Sequence, residues 1–146
     1  MKKLLPFTAV LVLAACATTD STPKDPSAQA IGIWQALGNI NNNNIAVSYD
    51  TESIQKQRQI ATLRTRSIVQ DTERESYLDS PKFKTAVGEW ELDCEKRQYR
   101  LKSMAFWDKN GKPITQQNYT ASQVRAEKIV SDSPTARMFQ AACGKK

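Results

Sequence analysis

VGEWELDCEKRQYRLKSMAFW, residues 87–107, alternates so regularly that it predicts a β-hairpin on two separate counts. Around a turn centred on Lys96-Arg97, Cys94 faces Tyr99, Leu92 faces Leu101 and Trp90 faces Ser103 on one side, while Asp93 faces Arg100 and Glu91 faces Lys102 on the other. Side chains alternate with period two along a strand, so one face is apolar and the other sets opposite charges across the ladder. A slip of one residue would undo both patterns, which predicts this register. The turn carries no Asn-Gly or Asp-Gly pair, so the expectation rests on the alternation alone.

Working outward toward the N-terminus, residues 71–84 are polar, interrupted by Pro81, and read as an exposed loop whose large apolar groups are Tyr77 and Phe83. Before it, residues 59–70 predict a strand with Ala61, Leu63, Thr65, Ser67 and Val69 on one face and Arg58, Arg64 and Arg66 sharing the other. Two readings of those arginines stand: a ligand-binding stripe, or a solvated face that discourages edge pairing. Ile45, Val47 and Tyr49 predict another strand, entered from an apolar segment at residues 31–38 through the run Asn41-Asn42-Asn43-Asn44. Asparagine tolerates left-handed backbone, so that run predicts a hairpin loop. Asp50 closes the strand and is placed to cap a one-turn helix at residues 51–53.

Toward the C-terminus, Asp108-Lys109-Asn110-Gly111-Lys112-Pro113 predicts a turn. Residues 114–122 show no clear pattern, and the glycosylation sequon at Asn118-Tyr119-Thr120 is read as chance. Residues 124–129 predict a last strand. Ser133 as cap and Pro134 at the first helical position open a helix that Gly144 ends, with Ala136, Phe139, Ala142 and Cys143 on one face and Lys145-Lys146 at the negative end of its dipole. The fold class is therefore α+β: a single antiparallel β-sheet of about six strands packed by a C-terminal helix.

The first fifteen residues stand apart from this domain. A basic start at Lys2-Lys3, an apolar run from Leu4 to Leu13, and small residues at Ala14 and Ala15 predict a signal peptide over residues 1–15. Cys16 directly after them resembles the lipobox of bacterial lipoproteins, which implies that Cys16 becomes the first mature residue and carries lipid. The alternatives are a plain signal peptide with a chance cysteine, or a membrane anchor, for which the apolar run is short. Residues 16–30 then form a lipidated cysteine and flexible tether rich in Thr, Ser, Pro, Asp and Ala, and residues 31–146 form the domain. Of three cysteines, lipid takes one. Export leaves Cys94 and Cys143 in an oxidising compartment, where a disulfide is expected, two separate buried thiols being the alternative. That disulfide would link the helix to the apolar face of the hairpin.

Composition narrows the function. The net charge of +6 falls to +4 once the two leader lysines leave, which argues against nucleic acid for an exported chain and toward lipid headgroups, polysaccharide or proteins. The chain has no histidine, the commonest general base and metal ligand, and no phosphate-cradling glycine loop. Glu89, Glu91, Asp93 and Glu95 could be paired catalytic carboxylates, but opposite Arg100 and Lys102 they read as cross-strand ion pairs. The expectation is a non-enzyme with no cofactor and no metal site.

Several stretches together resemble the surface-adhesin protein E family of Gram-negative lipoproteins: the lipobox at Cys16, Tyr49-Asp50-Thr51-Glu52-Ser53-Ile54, Glu91-Leu92-Asp93-Cys94 through Tyr99-Arg100-Leu101, and Ile129-Val130-Ser131-Asp132-Ser133 leading to Cys143. The resemblance implies one antiparallel sheet crosslinked to a C-terminal helix. It also implies display on the outer membrane, binding of extracellular-matrix and serum proteins such as vitronectin and laminin, and allows a homodimer. On that reading Arg58, Arg64, Arg66, Tyr77, Lys82, Phe83 and Lys84 are the candidate contacts. A second reading is an envelope lipoprotein facing the periplasm, which binds a protein partner or inhibits an enzyme such as lysozyme. Ala17 after the lipidated cysteine resembles the outer-membrane sorting pattern of enteric bacteria.

Overall fold

A computed structural model describes residues 31–144. The expectations for the leader, Cys16, the tether and Lys145-Lys146 fall outside them. The chain runs through β1 (Trp34–Ile40), β2 (Ile45–Asp50), a 3-10 turn (Thr51–Ser53), β3 (Gln55–Gln57), β4 (Ile60–Val69), β5 (Thr85–Asp93), β6 (Gln98–Trp107), β7 (Pro113–Asn118), β8 (Glu127–Lys128) and the helix α1 (Pro134–Cys143). The strands form one curled antiparallel sheet in the order β1-β2-β4-β5-β6-β7, with β3 added to β4 and β8 added to β6. An antiparallel sheet of six or more strands and its C-terminal helix are present as expected, although the sixth strand of the main path is β7, which the sequence did not announce, and the expected last strand is the short β8.

Local chemistry sets the first elements. Asn41, Asn42 and Asn43 adopt φ of 51°, 52° and 63°, a left-handed run that asparagine accepts more readily than other L-residues, and so β1 turns into β2. The Asp50 carboxylate accepts from the Glu52 amide at 3.2 Å, the cap expected for the 3-10 turn. In β1 the register shifts between Ala36 and Gly38, and buried Leu37 joins the core under the helix. Gly38 has φ 125°, a conformation L side chains rarely adopt, and a Cβ built there would also push aside the end of the Arg137 side chain.

The central hairpin forms with a different register from the one expected. Asp93 faces Gln98, Leu92 faces Tyr99, Glu91 faces Arg100 and Trp90 faces Leu101. Cys94 therefore does not face Tyr99, and neither Asp93 with Arg100 nor Glu91 with Lys102 is a direct pair. Asp93 causes the shift: its carboxylate accepts from the Glu95 and Lys96 amides at 3.1 and 2.9 Å, and Arg97 takes φ 54°, which closes a turn centred one residue earlier. A displacement of two residues leaves the side chains of residues 90–93 and 98–101 on their expected faces. Between Glu89 and Trp90 the register steps back by one residue, so that Val87 faces Ala105 and residues 103–107 of β6 turn to the face opposite the expected one.

Helix α1 begins as expected, with the Ser133 hydroxyl accepting from the Ala136 amide at 3.1 Å and Pro134 following. Its buried residues are Met138, Phe139 and Ala142, so Met138 takes the place expected for half-buried Ala136. They pack on Leu37, Ala61, Leu63, Leu92 and Cys94, the main core. Cys94 and Cys143 form the disulfide that joins helix to hairpin, with Cα atoms 5.5 Å apart. The last strand expected at residues 124–129 shrinks to Glu127–Lys128, while the unpatterned residues 114–122 contain most of β7. No described helix is long and apolar enough to cross a membrane.

Candidate binding site

Helix α1 covers one face of the sheet, and the arginines lie on the other. Alternation along β4 sends Ala61 and Leu63 into the core and leaves Thr62, Arg64 and Arg66 on the opposite face. Because β4 pairs with β2 and β3 on one side and with β5 on the other, it is an interior strand, and the edge-guarding reading of the arginines fails. Arg58 does not join the stripe. It sits at the exposed turn between β3 and β4 with φ 56°.

Arg64 pairs with Asp50, which is only 2% exposed, and also donates to the Ile31 carbonyl at 2.9 Å. Burial by itself would raise the Asp50 pKa. The hydrogen bond from Arg64, those from the Glu52 and Ile33 amides, and the Arg64 charge outweigh it and hold the carboxyl below its ordinary value. Arg66 meets no carboxylate among the described residues; its guanidinium lies 4.6 Å from the centre of the Trp34 ring, with Arg64 at 5.8 Å from the same ring. Burial pushes the Arg66 pKa down from its usual value. The Nε of Arg66 and the Nε1 of Trp107, itself 3% exposed, are buried donors with no hydrogen-bond acceptor among the described residues. Trp34 links them, since it packs against the buried cluster of Val87, Ala105 and Trp107 on which the second donor lies.

Below this cluster the same face opens into a groove of about 640 Å³ lined by Gln55, Gln57, Arg58, Thr62, Glu89 and Lys102 among others. A second hollow shares Gln55, Thr62 and Glu89 with it and reaches Asp50 and Arg64. Glu91 bonds Arg100 at 2.8 Å and Glu89 bonds Lys102 at 3.2 Å, so these carboxylates are cross-strand ion pairs, as the charge alternation implied. The groove is thus a polar surface whose charges mostly cancel, suited to binding rather than to proton transfer.

The remaining candidates form a separate surface. Tyr77, Lys82, Phe83 and Lys84 lie in the loop between β4 and β5, which is tied down along its length. The Tyr77 and Phe83 rings meet edge-to-face with centroids 5.5 Å apart, Phe83 packs on Phe106 at 5.2 Å, and the Tyr77 hydroxyl, its pKa raised first by burial, donates to the Phe83 carbonyl at 3.0 Å. Lys82 pairs with Glu73 at 2.6 Å and Lys84 donates to the Gln70 carbonyl at 3.0 Å. Buried Asn44 clips the start of the loop, donating to the Asp71 carbonyl and to Glu75 while accepting from the Asp71 amide. Tyr77 and Phe83 therefore support the loop, and what it presents is Leu78, 91% exposed, which the sequence reading passed over. Trp34, Asp50 and the glutamines of the groove were also missed, because each reaches the site from a strand other than β4.

The family model described as surface-adhesin protein E matches residues 34–144. Among solved structures the chain is similar to crystal form II of Haemophilus influenzae protein E, at 16% identity over 74% of this chain and 86% of that one, with a TM-score of 0.50. A second structure of Haemophilus influenzae protein E gives 16% identity over 76% and 87%, with a TM-score of 0.48. At that identity the first likeness bears on the fold alone. No curated protein matches the chain.

Proposed function

The chain belongs to the surface-adhesin protein E family, and we propose that it is an outer-membrane lipoprotein, held by lipid on Cys16, whose domain faces outward and binds host matrix or serum proteins such as vitronectin and laminin. The observation that carries this reading is the loop at residues 71–84. Its edge-to-face rings, its lysine contacts and its clips to Asn44 tie it to the rest of the domain while Leu78 stands in solvent. A loop ordered in advance loses little conformational freedom when a partner seats on it, and an exposed leucine supplies the apolar anchor. Lys82 and Lys84 add cationic groups beside it, so attachment weakens as salt rises.

The test is binding of the full chain to immobilised vitronectin and laminin across a salt series. Binding at low salt that Leu78→Ala and the Lys82→Ala, Lys84→Ala pair both weaken supports the reading. Absence of binding to either protein even at low salt removes it and moves the periplasmic-partner reading to first place. Protease treatment of intact cells tests the outward orientation independently, with digestion expected.

A further inference from the structure

We propose that the sheet face opposite the helix binds an extended, acidic segment of a partner protein, with Arg66 as its main carboxylate contact and Arg58 as a second. The ion pairs on that face leave these two cations over, together with the exposed Glu52 carboxylate at the second hollow. Asp50 is matched by Arg64, Glu91 by Arg100 and Glu89 by Lys102, whereas neither Arg58 nor Arg66 meets a carboxylate among the described residues. Arg66 is not a freely solvated arginine. It is half-buried, its guanidinium lies 4.6 Å from the Trp34 ring, and its Nε has no acceptor. A partly desolvated charge without a counter-charge is costly, and a bound carboxylate relieves that cost with a charge-assisted hydrogen bond. The indole holds the planar fork in one orientation, which favours a planar, two-oxygen partner.

The groove beside Arg58, which the second hollow continues to Arg64, two residues from Arg66 on the same face of β4, fits a peptide backbone. Gln55, Gln57 and Thr62 line it with amide and hydroxyl groups that both donate and accept. Six residues of strand separate Ile60, next to the turn that carries Arg58, from Arg66, roughly 20 Å, the span of a partner segment of about six residues. Two unpaired cations that far apart do not make the dense cationic cluster that suits a polyanion. That spacing favours individually placed carboxylates over the dense charge of a sulfated polysaccharide.

This proposal goes beyond the adhesin reading and uses none of the loop residues, so the two can fail separately. The experiment is fluorescence anisotropy of a labelled eight-residue peptide of alternating Glu and Ser, added to the full chain in non-ionic detergent, with the Gln-for-Glu peptide as control. The acidic peptide should bind saturably and the control should not. Arg66→Gln should weaken binding about tenfold or more, the factor for one hydrogen bond to a charged group. Lys82→Ala should leave it unchanged. Because Arg66 also packs on Trp34, Arg58→Glu at the exposed turn is the second variant; it should weaken the peptide without changing thermal unfolding. Binding that neither variant alters overturns the proposal. Binding of a heparin fragment that depends on Arg66, with no binding of the acidic peptide, overturns it in favour of a polysaccharide.

Discussion

Asp50 gathers more of this fold than any other single side chain. It caps the 3-10 turn through the Glu52 amide, fixes the segment before β1 through the Ile33 amide, and neutralises Arg64 on β4. Its folded pKa lies below the ordinary 3.8. The unfolded chain therefore takes up the proton first as pH falls, and the stability Asp50 contributes is present above that ordinary value and lost as pH drops through the folded one. Asp50→Asn should cost about 1–3 kcal/mol at neutral pH, since it removes the charge from a buried acceptor of several hydrogen bonds. It should also flatten the loss of stability on acidification relative to the unaltered protein. Thermal unfolding of both proteins at about pH 7, 4 and 3 checks this. Parallel acid limbs would show that Asp50 is not the group that titrates against folding.

At the scale of the hairpin, the observed register makes a prediction that the expected one does not. Glu91 faces Arg100 and bonds it at 2.8 Å, so reversing both charges should restore part of the stability lost by Glu91→Lys alone, with a coupling of about 0.2–1 kcal/mol. The Glu91 and Lys102 pair should couple less, and chemical denaturation of the two double-mutant cycles decides between the registers. The comparison also defines what the sequence could carry. Period-two alternation assigned faces to residues 90–101 and to β4 because burial acts on every second side chain, and it missed the bulge that inverts residues 103–107. It could exclude a slip of one residue but was blind to a slip of two, and the deciding feature was a local turn made by the Asp93 carboxylate. The edge strand β7 was illegible because most of its residues are half-buried or exposed and its Thr-Gln-Gln-Asn core carries no apolar face. In the candidate site, the arginine face could be read from β4, whereas Asp50 lies 14 residues from Arg64 in sequence and Trp34 comes from β1, so no local pattern announces either.

The whole molecule is asymmetric: one face of the curled sheet is sealed by α1 and the other carries the groove and the arginines. The seal on the first face rests on Met138, Phe139 and Ala142, a short helix's worth of buried surface, and on the bond from Cys143 to Cys94. That crosslink spans 49 residues, and the chain-entropy model assigns such a loop about 4 kcal/mol of stabilisation at room temperature, a large share of the 5–15 kcal/mol typical of a domain. Replacing both cysteines by alanine, which leaves no stray thiol, should therefore lower stability by about 2–5 kcal/mol in urea unfolding, with little change in the denaturant slope if the buried surface is retained. The other face should respond differently. Its ion pairs and the Trp34 stack lie across the sheet from the helix, so while the double-alanine protein stays folded, the acidic peptide should bind it as tightly as it binds the unaltered chain. A loss of stability below about 1 kcal/mol would mean that side-chain packing alone secures the helix. A parallel loss of peptide binding would mean that the two faces of the sheet are coupled through it.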